Sequence, residues 1–355
     1  SENDHPATLN EDGKPKWKYY GYIRARMAIS DEDIKLMSKL AAEAVSIGAL
    51  GFTTSRTINH RTSEGDLVPQ FTAAENELVG ISKAIGKTNK GVMQLVTDLI
   101  GGRQEYLILE KMVIESNRPL SITVAQTDAN NYEWEDLLGW IEDSANNGLP
   151  IKAQVCGRPV GLVLGLSVTL NPFSAHPSFN KISNLPLEEK TKIMQSPNFK
   201  KKLLNEKPTT NDGLILSILR NYNNIYILDD PPNYEPLIEE SLGFQAKKVD
   251  IEVDEFLYDC LLMEDGKKLL YYPIGNYMDS SLDAAKRMME SEHSLLGLGD
   301  GGAHCATICD ASFTTHMLTF WGRDRVRGPK MDLSWIIKSN TRDNALAMGL
   351  NDRGL

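Results

Sequence analysis

Short apolar runs that alternate with amphipathic segments restrict the fold of this chain more than any other feature. Runs with strand character recur roughly every 30 to 40 residues from residue 49 to residue 157, and helical spacing of apolar residues follows most of them. This alternation is typical of βαβ units, which build a parallel sheet covered by helices. The sequence therefore predicts an α/β fold.

The predicted elements can be placed along the chain. The predicted strands cover residues 49–55, 91–97, 120–126, 151–157, 224–230, 267–273 and 295–300. Ser30 is predicted to cap the first helix, and the stretch Thr-Ala-Ala-Glu at 72–75 has the pattern of a capping box for the second. From about residue 158 to residue 267 the alternation stops, and we interpret this stretch as an insertion.

Composition and charge exclude several classes of function. The formal net charge of -10 disfavours nucleic acid as a partner, because phosphate binding needs a basic surface. No apolar run approaches the roughly 20 residues that a membrane-spanning helix requires, so a membrane is not a predicted partner either. The four cysteines lack the spacing of a disulfide scaffold, which predicts reduced thiols and a cytoplasmic location.

The last predicted strand ends on an acidic residue. Asp300 closes the apolar run, and two glycines, an alanine and His304 follow it. In parallel sheets, chemistry lies at the carboxyl ends of the strands, where a carboxylate can bind a metal or accept a proton from water. The alternative is that Asp300 is the N-cap of a following helix, and the residue pattern leaves both interpretations open.

Polar residues follow other predicted strands as well. Arg56 and His60 come after the first of them and suit a substrate carboxylate, although an ordinary polar loop is an equal alternative. Arg158 could serve the same purpose or form a structural ion pair. Asn276 and Tyr277 could face a pocket, or Tyr277 could pack in the core. Two further histidines, His176 and His316, are expected to be structural.

Several long segments resemble one family. The stretch GLGDGGAHCATICDASFTTHMLTFWGRDR is similar to the signature region of the N-acyl-D-amino-acid deacylase (D-aminoacylase-like) group of the amidohydrolase superfamily. The segments GALGFTTSRTINHRT, GRPVGLVLGL, NPFSAHPSF, PIGNYMDSSLDAA and TRDNALAMGLNDRGL agree in order. The resemblance implies a (β/α)8 TIM barrel, a divalent metal (usually zinc) and amide hydrolysis by metal-activated water. It also implies that Asp300 is the aspartate of the eighth strand, which binds the metal and shuttles the proton.

The sequence also departs from the family pattern. Its six histidines include no His-x-His pair, and the mapped strands correspond to strands 4 to 8 of the barrel. Where better-known D-aminoacylases have histidine ligands, this chain has Gln94, Asp98, Gln126 and Asp128. We therefore expect an incomplete barrel at residues 31–355, with the insertion at about 158–267. Residues 1–30 are expected to be a polar N-terminal segment or a remnant of the early barrel.

These observations predict a metal-dependent amidohydrolase that acts on N-acyl-D-amino acids or related N-acyl compounds. Asp300 is its predicted catalytic residue and metal ligand. The predicted substrate-binding residues are Arg56, His60, Arg158, Asn276, Tyr277 and His304. The alternatives are an amidohydrolase of cyclic amides or dipeptides and a barrel fragment without catalysis. Unpaired strand edges in an incomplete barrel would allow a homo-oligomer.

Overall fold

Five parallel strands form the main sheet of the chain. The computed structural model describes residues 29–62, 66–99, 102–127, 133–209, 220–299, 307–308 and 310–355. Its strands are β1 (Gly51–Arg56), β2 (Val92–Thr97), β3 (Leu120–Thr123), β4 (Ile151–Cys156), β5 (Val160–Leu164), β6 (Tyr226–Ile227), β7 (Leu270–Gly275) and β8 (Ser294–Gly297). The main sheet has the order β1-β2-β3-β4-β8, and every neighbouring pair in it is parallel. The predicted α/β class is confirmed, and each of the seven predicted strands overlaps an observed strand.

Helices connect these strands. They are α1 (Asp31–Ser46), α2 (Glu75–Gly86), α3 (Arg103–Ser116), α4 (Glu133–Asn146), α5 (Pro177–Asn180), α6 (Leu187–Met194), α7 (Pro197–Leu204), α8 (Leu242–Lys248), α9 (Val253–Gly266), α10 (Asp283–Glu290), α11 (Phe313–His316), α12 (Leu333–Lys338) and α13 (Asn344–Ala347). Two π-helical segments, Met317–Asp324 and Ser339–Asp343, follow α11 and α12. The predicted single helix over 333–350 is therefore divided by a π segment.

The starts of the first two helices show how local sequence acts. Ser30 caps α1 as predicted, because its hydroxyl accepts from the backbone N–H of Asp33 at 3.2 Å and the Asp33 carboxylate bonds back to Ser30. The predicted capping box at residues 72–75 is wrong. Thr72 ends a short 3₁₀ turn instead, and Ala74 is the N-cap of α2 without a side-chain bond. A preceding turn has displaced the start of the helix by two residues.

The two faces of the parallel sheet differ in polarity. One face carries buried apolar side chains in register from strand to strand, including Met93, Leu120 and Ile151. They belong to a core shared with α3, α4 and α10. Complete burial of each such side chain contributes about 1.5–3 kcal/mol, so this face holds the helices on the sheet.

The other face carries a row of polar side chains. Thr53, Gln94, Ser121 and Lys152 are register partners across β1, β2, β3 and β4, and therefore point to the same side. We call these four residues the polar row. Sheets in α/β proteins are normally apolar on both faces, so a polar row marks a face that contacts solvent or a ligand.

A second, antiparallel sheet lies within the region predicted as an insertion and just beyond it. Its order is β5-β7-β6, and both pairings are antiparallel. A separate apolar core surrounds it and includes Phe173, Leu257 and Tyr258. β7 overlaps the predicted strand 267–273 at residues 270–273 but pairs outside the parallel sheet, and β5 was not predicted. The division of the chain into residues 1–30, 31–355 and an insertion stays a prediction.

Closure of a barrel is not confirmed. Within the described ranges, β1 and β8 are the two edges of the parallel sheet, and no pairing there joins them. In the same ranges, no helix is both long and apolar enough to cross a membrane.

Candidate functional site

The carboxyl ends of the parallel strands share one edge of the sheet. The strands end at Arg56, Thr97, Thr123, Cys156 and Gly297. This edge is where α/β proteins place their chemistry, so it is the candidate functional site. The predicted catalytic residue Asp300 and the predicted substrate ligand His304 lie outside the described residues, and their roles stay predictions.

Arg56 at the end of β1 is part of a dense polar cluster. Its Nε and Nη2 donate to the two carboxylate oxygens of Glu105 at 2.5 and 3.0 Å, and Nη1 donates to the carbonyl of Ala73 at 2.5 Å. Thr97 donates to the same carboxylate at 3.0 Å. Since the Glu105 side chain is buried, this ion pair fixes α3 to the end of β1. Three of the five N–H donors of Arg56 are thus used by Glu105 and Ala73, which leaves two donors for a substrate.

His60 lies on the loop after β1 and is exposed. Its Nδ1 is 2.6 Å from the hydroxyl of Ser55, the side chain that precedes Arg56 on the strand. The structure thus brings His60 back to the strand end. Substrate binding by His60 stays a prediction.

Arg158 follows β4 and is fully buried. Its Nη1 donates to the hydroxyl of Ser312 at 2.7 Å, and its Nε lies 3.7 Å from Oδ1 of the buried Asp310. Its Cζ lies 3.9 Å from the centre of the Tyr234 ring, within the range of a cation–π contact. This cluster joins the end of β4 to the segment that follows β8, although the two are more than 150 residues apart.

His316 completes the Arg158 cluster. Its ring packs edge-on against Tyr234 and stacks on Phe320, with centroids 5.5 and 4.6 Å apart. Burial, together with the positive charge of Arg158, lowers the pKa of His316 to about 3, so the ring is neutral at pH 7. Its Nε2 is buried and has no hydrogen-bond partner among the described residues.

His316 lies at the junction between α11 and a π-helical segment. It is the last residue of α11, and the π-helical segment begins at the next residue. π-helical turns occur frequently at functional sites. A buried, unpaired polar atom costs about 1–3 kcal/mol, so Nε2 of His316 calls for a partner that is not among the described residues. The sequence predicts a structural role for His316, because its contact with Tyr234 and the nearby charge of Arg158 depend on the tertiary structure.

Asn276 and Gln126 connect the two sheets beside this cluster. Asn276 is fully buried, and its Nδ2 donates to the carbonyl of Cys156 at the end of β4, at 3.3 Å. The amide of Gln126 donates to Asp279 at 2.7 Å and accepts from the backbone N–H of Met278 at 3.2 Å. Both side chains therefore serve contacts within the protein. Substrate binding by Asn276 stays a prediction.

Tyr277 is also buried and engaged. Its hydroxyl donates to the carbonyl of Pro236 and accepts from Nη1 of Arg327 at 2.9 Å. Burial raises the pKa of the phenol above its usual value, so it is neutral at physiological pH. These contacts fit the core-packing alternative, while its role at a substrate remains a prediction.

Within the described ranges, no group of three or more His, Cys, Asp or Glu side chains is arranged to hold a metal ion. Asp98, one residue at the places of the expected ligands, accepts from the backbone N–H of Ile58 at 2.7 Å. Gln94 donates to Thr123 at 3.4 Å, and Asp128 lies outside the described residues. The described residues do not fit the expected metal site.

No family model matches the chain, and no curated protein matches it either. Among solved structures, one described as the crystal structure of D-aminoacylase, defining a novel subset of amidohydrolases, is similar with a TM-score of 0.48 and 15% sequence identity. The match covers 94% of this chain and 57% of that chain, so this chain spans little more than half of that structure's length.

Proposed function

We propose that the carboxyl edge of the parallel sheet is the active site of a hydrolase that cleaves the amide bond of N-acyl-D-amino acids or related N-acyl compounds. The resemblance of the quoted segments to the N-acyl-D-amino-acid deacylase group supports this choice. The parallel sheet supplies the edge at which such a site would lie.

One observation carries the proposal furthest. Arg158 and His316 form a buried cluster beside the end of β4, and Nε2 of His316 has no partner among the described residues. Perturbed, buried titratable groups at a strand edge are typical of active sites. In the proposal, Asp300 accepts the proton of the water that attacks the acyl carbon, and the proton passes to the leaving amine as the C–N bond breaks.

The resemblance also implies a divalent metal, usually zinc, with Asp300 as a ligand. Zinc needs three or four protein ligands, and the described residues do not supply them. Zinc binding by Asp300 is therefore a proposal separate from the proton transfer. Elemental analysis after dialysis against zinc tests it, because stoichiometric zinc lost in Asp300→Ala would support it.

The experiment that tests the function is an assay of the 355-residue chain with N-acetyl-D-leucine, N-acetyl-L-leucine, a cyclic amide and a dipeptide, with and without added zinc. The released amine is measured with an amine-reactive fluorophore. We expect release from the N-acetyl-D-amino acid, reduced about 10²–10⁴-fold in Asp300→Asn. Release from the cyclic amide or dipeptide alone would favour those substrates, and no release from any of them would contradict the hydrolase.

A protein without catalysis is the second candidate. It is favoured by the ion pairs of Arg56 and Arg158, since each guanidinium already faces a buried carboxylate. This candidate predicts no hydrolysis in the assay and no zinc after dialysis.

A further inference from the structure

The amino ends of the parallel strands border a cavity, at the edge of the sheet opposite the carboxyl ends. It has a volume of about 810 Å³ and is lined by the first residues of four strands, Val92, Leu120, Ile151 and Ser294. The helices α12 and α13 and the π segment between them form its other wall. This volume lies within the range of small-molecule sites, about 300–1,000 Å³.

The cavity has an apolar wall and one desolvated cation. Met289, Leu295, Trp335 and Leu346 are among its apolar lining residues. Lys152 and Ser121 of the polar row also line it. Burial lowers the pKa of the Lys152 ammonium below its usual value. Its Nζ donates to the carbonyl of Glu292 at 3.2 Å, and that is its one hydrogen bond among the described residues.

The other charges of the cavity are largely compensated. Lys338 is paired with both carboxylate oxygens of Asp343, at 2.8 and 2.9 Å, and Glu290 is paired with Lys286. The carboxylate of Asp343, the ammonium of Lys338 and, more weakly, the carboxylate of Glu292 act on Lys152 at longer range. An ammonium has three donors, so Lys152 retains donors for an anion. The nearby carboxylates disfavour a dianion such as phosphate and favour a single negative charge.

We propose that this cavity is a binding site for a small organic carboxylate with an apolar body. The carboxylate accepts from the Lys152 ammonium, and the apolar body lies against Trp335 and Leu346. Bringing an anion to a half-buried ammonium compensates the cost of its desolvation, while the apolar wall supplies hydrophobic affinity. The site is independent of the proposed hydrolase activity, because it lies at the opposite edge of the sheet.

Calorimetric titration of the 355-residue chain tests this site. The probes are octanoate, octanol with a comparable apolar chain but no charge, and inorganic phosphate. We expect octanoate to bind at least tenfold more tightly than either of the other probes. Lys152→Met should weaken octanoate binding at least tenfold, whereas Lys39→Met, an exposed lysine on α1, should leave it unchanged.

A second variant tests the cavity independently of whether Lys152→Met folds. Ala347→Phe fills the cavity from α13 and keeps Lys152, so it should abolish octanoate binding with an unchanged circular dichroism spectrum. The proposal would be overturned if octanol or phosphate bound as tightly as octanoate, or if octanoate did not bind at all. It would also be overturned if Lys152→Met bound octanoate as tightly as the unmodified chain. If Lys152→Met does not fold, full binding by Ala347→Phe would overturn it.

Discussion

Gln126 and Asn276 hold each other across 150 positions of sequence. The backbone N–H of Gln126 donates to Oδ1 of Asn276 at 3.0 Å, and the backbone N–H of Asn276 donates to the carbonyl of Gln126 at 2.8 Å. Gln126 follows β3 of the parallel sheet, and Asn276 follows β7 of the antiparallel sheet. This pair therefore fixes one sheet against the other beside the Arg158 cluster.

Asn276→Ala should destabilise the fold. The backbone N–H of Gln126 would lose its acceptor in a buried place, and alanine would have to adopt the φ of +61° that Asn276 has. We expect a loss of about 2–4 kcal/mol in the free energy of unfolding, measured by urea denaturation. Asn276→Gly loses the same acceptor but accommodates the positive φ, and it serves as the comparison. A cost for alanine no greater than that for glycine would contradict this account.

Arg325 and Glu235 form a buried ion pair. Nε and Nη2 of Arg325 donate to the two oxygens of Glu235 at 3.1 and 2.9 Å, and both side chains are almost fully buried. Arg325→Met leaves the Glu235 charge without its partner, so the free energy of unfolding should fall by about 3–5 kcal/mol. The matched control is Arg323→Met, whose pair with Asp324 is exposed, so this variant should stay close in stability to the unmodified chain. Equal effects of the two variants would argue against the buried pair.

Arg56→Lys tests the ion pair with Glu105 that joins β1 to α3. Lysine cannot form the two-pronged contact that Arg56 makes with Glu105, so we expect the free energy of unfolding to fall by about 1–3 kcal/mol. Lys111→Met removes an exposed pair with Glu75 between α2 and α3 and should lower the free energy of unfolding less than Arg56→Lys does. Urea denaturation of both variants at pH 7 makes the comparison. If Arg56→Lys is as stable as the unmodified chain, the ion pair of Arg56 with Glu105 does not stabilise the fold.

His316 should make stability depend on pH. Its pKa in the folded chain, about 3, lies below the ordinary value of 6.5, so the unfolded chain takes up a proton first as the pH falls. The stability that neutral His316 contributes is complete above pH 6.5 and is lost as the pH falls from 6.5 toward 3. The slope in this window is at most about 1.4 kcal/mol per pH unit.

The measurement is urea denaturation of the unmodified chain and of His316→Gln from pH 7 to pH 4. The difference in unfolding free energy between the two proteins should change steadily across this range, because glutamine takes up no proton. Two parallel curves would mean that His316 is protonated equally in the folded and unfolded states.

Local sequence patterns predicted many of the elements of this fold. The periodicity of the apolar residues placed β1, β2, β3, β4 and β8 to within a few residues, because burial against helices imposes that pattern directly. Ser30 was recognised as a helix cap because its partner is three residues away. The strand β5 was not predicted, since its pairing with β7 joins segments more than 100 residues apart.

The candidate site followed the same division. The sequence by itself determined which polar residues follow the strands, among them Arg56, Arg158 and Asn276, because strand ends are visible in the pattern. Tertiary structure decided what those residues contact. Glu105 and Asp310 neutralise the two arginines, and Arg158 with burial keeps His316 neutral. The physical reason is that ion pairing and desolvation depend on distance in space, which residue spacing along a chain does not specify.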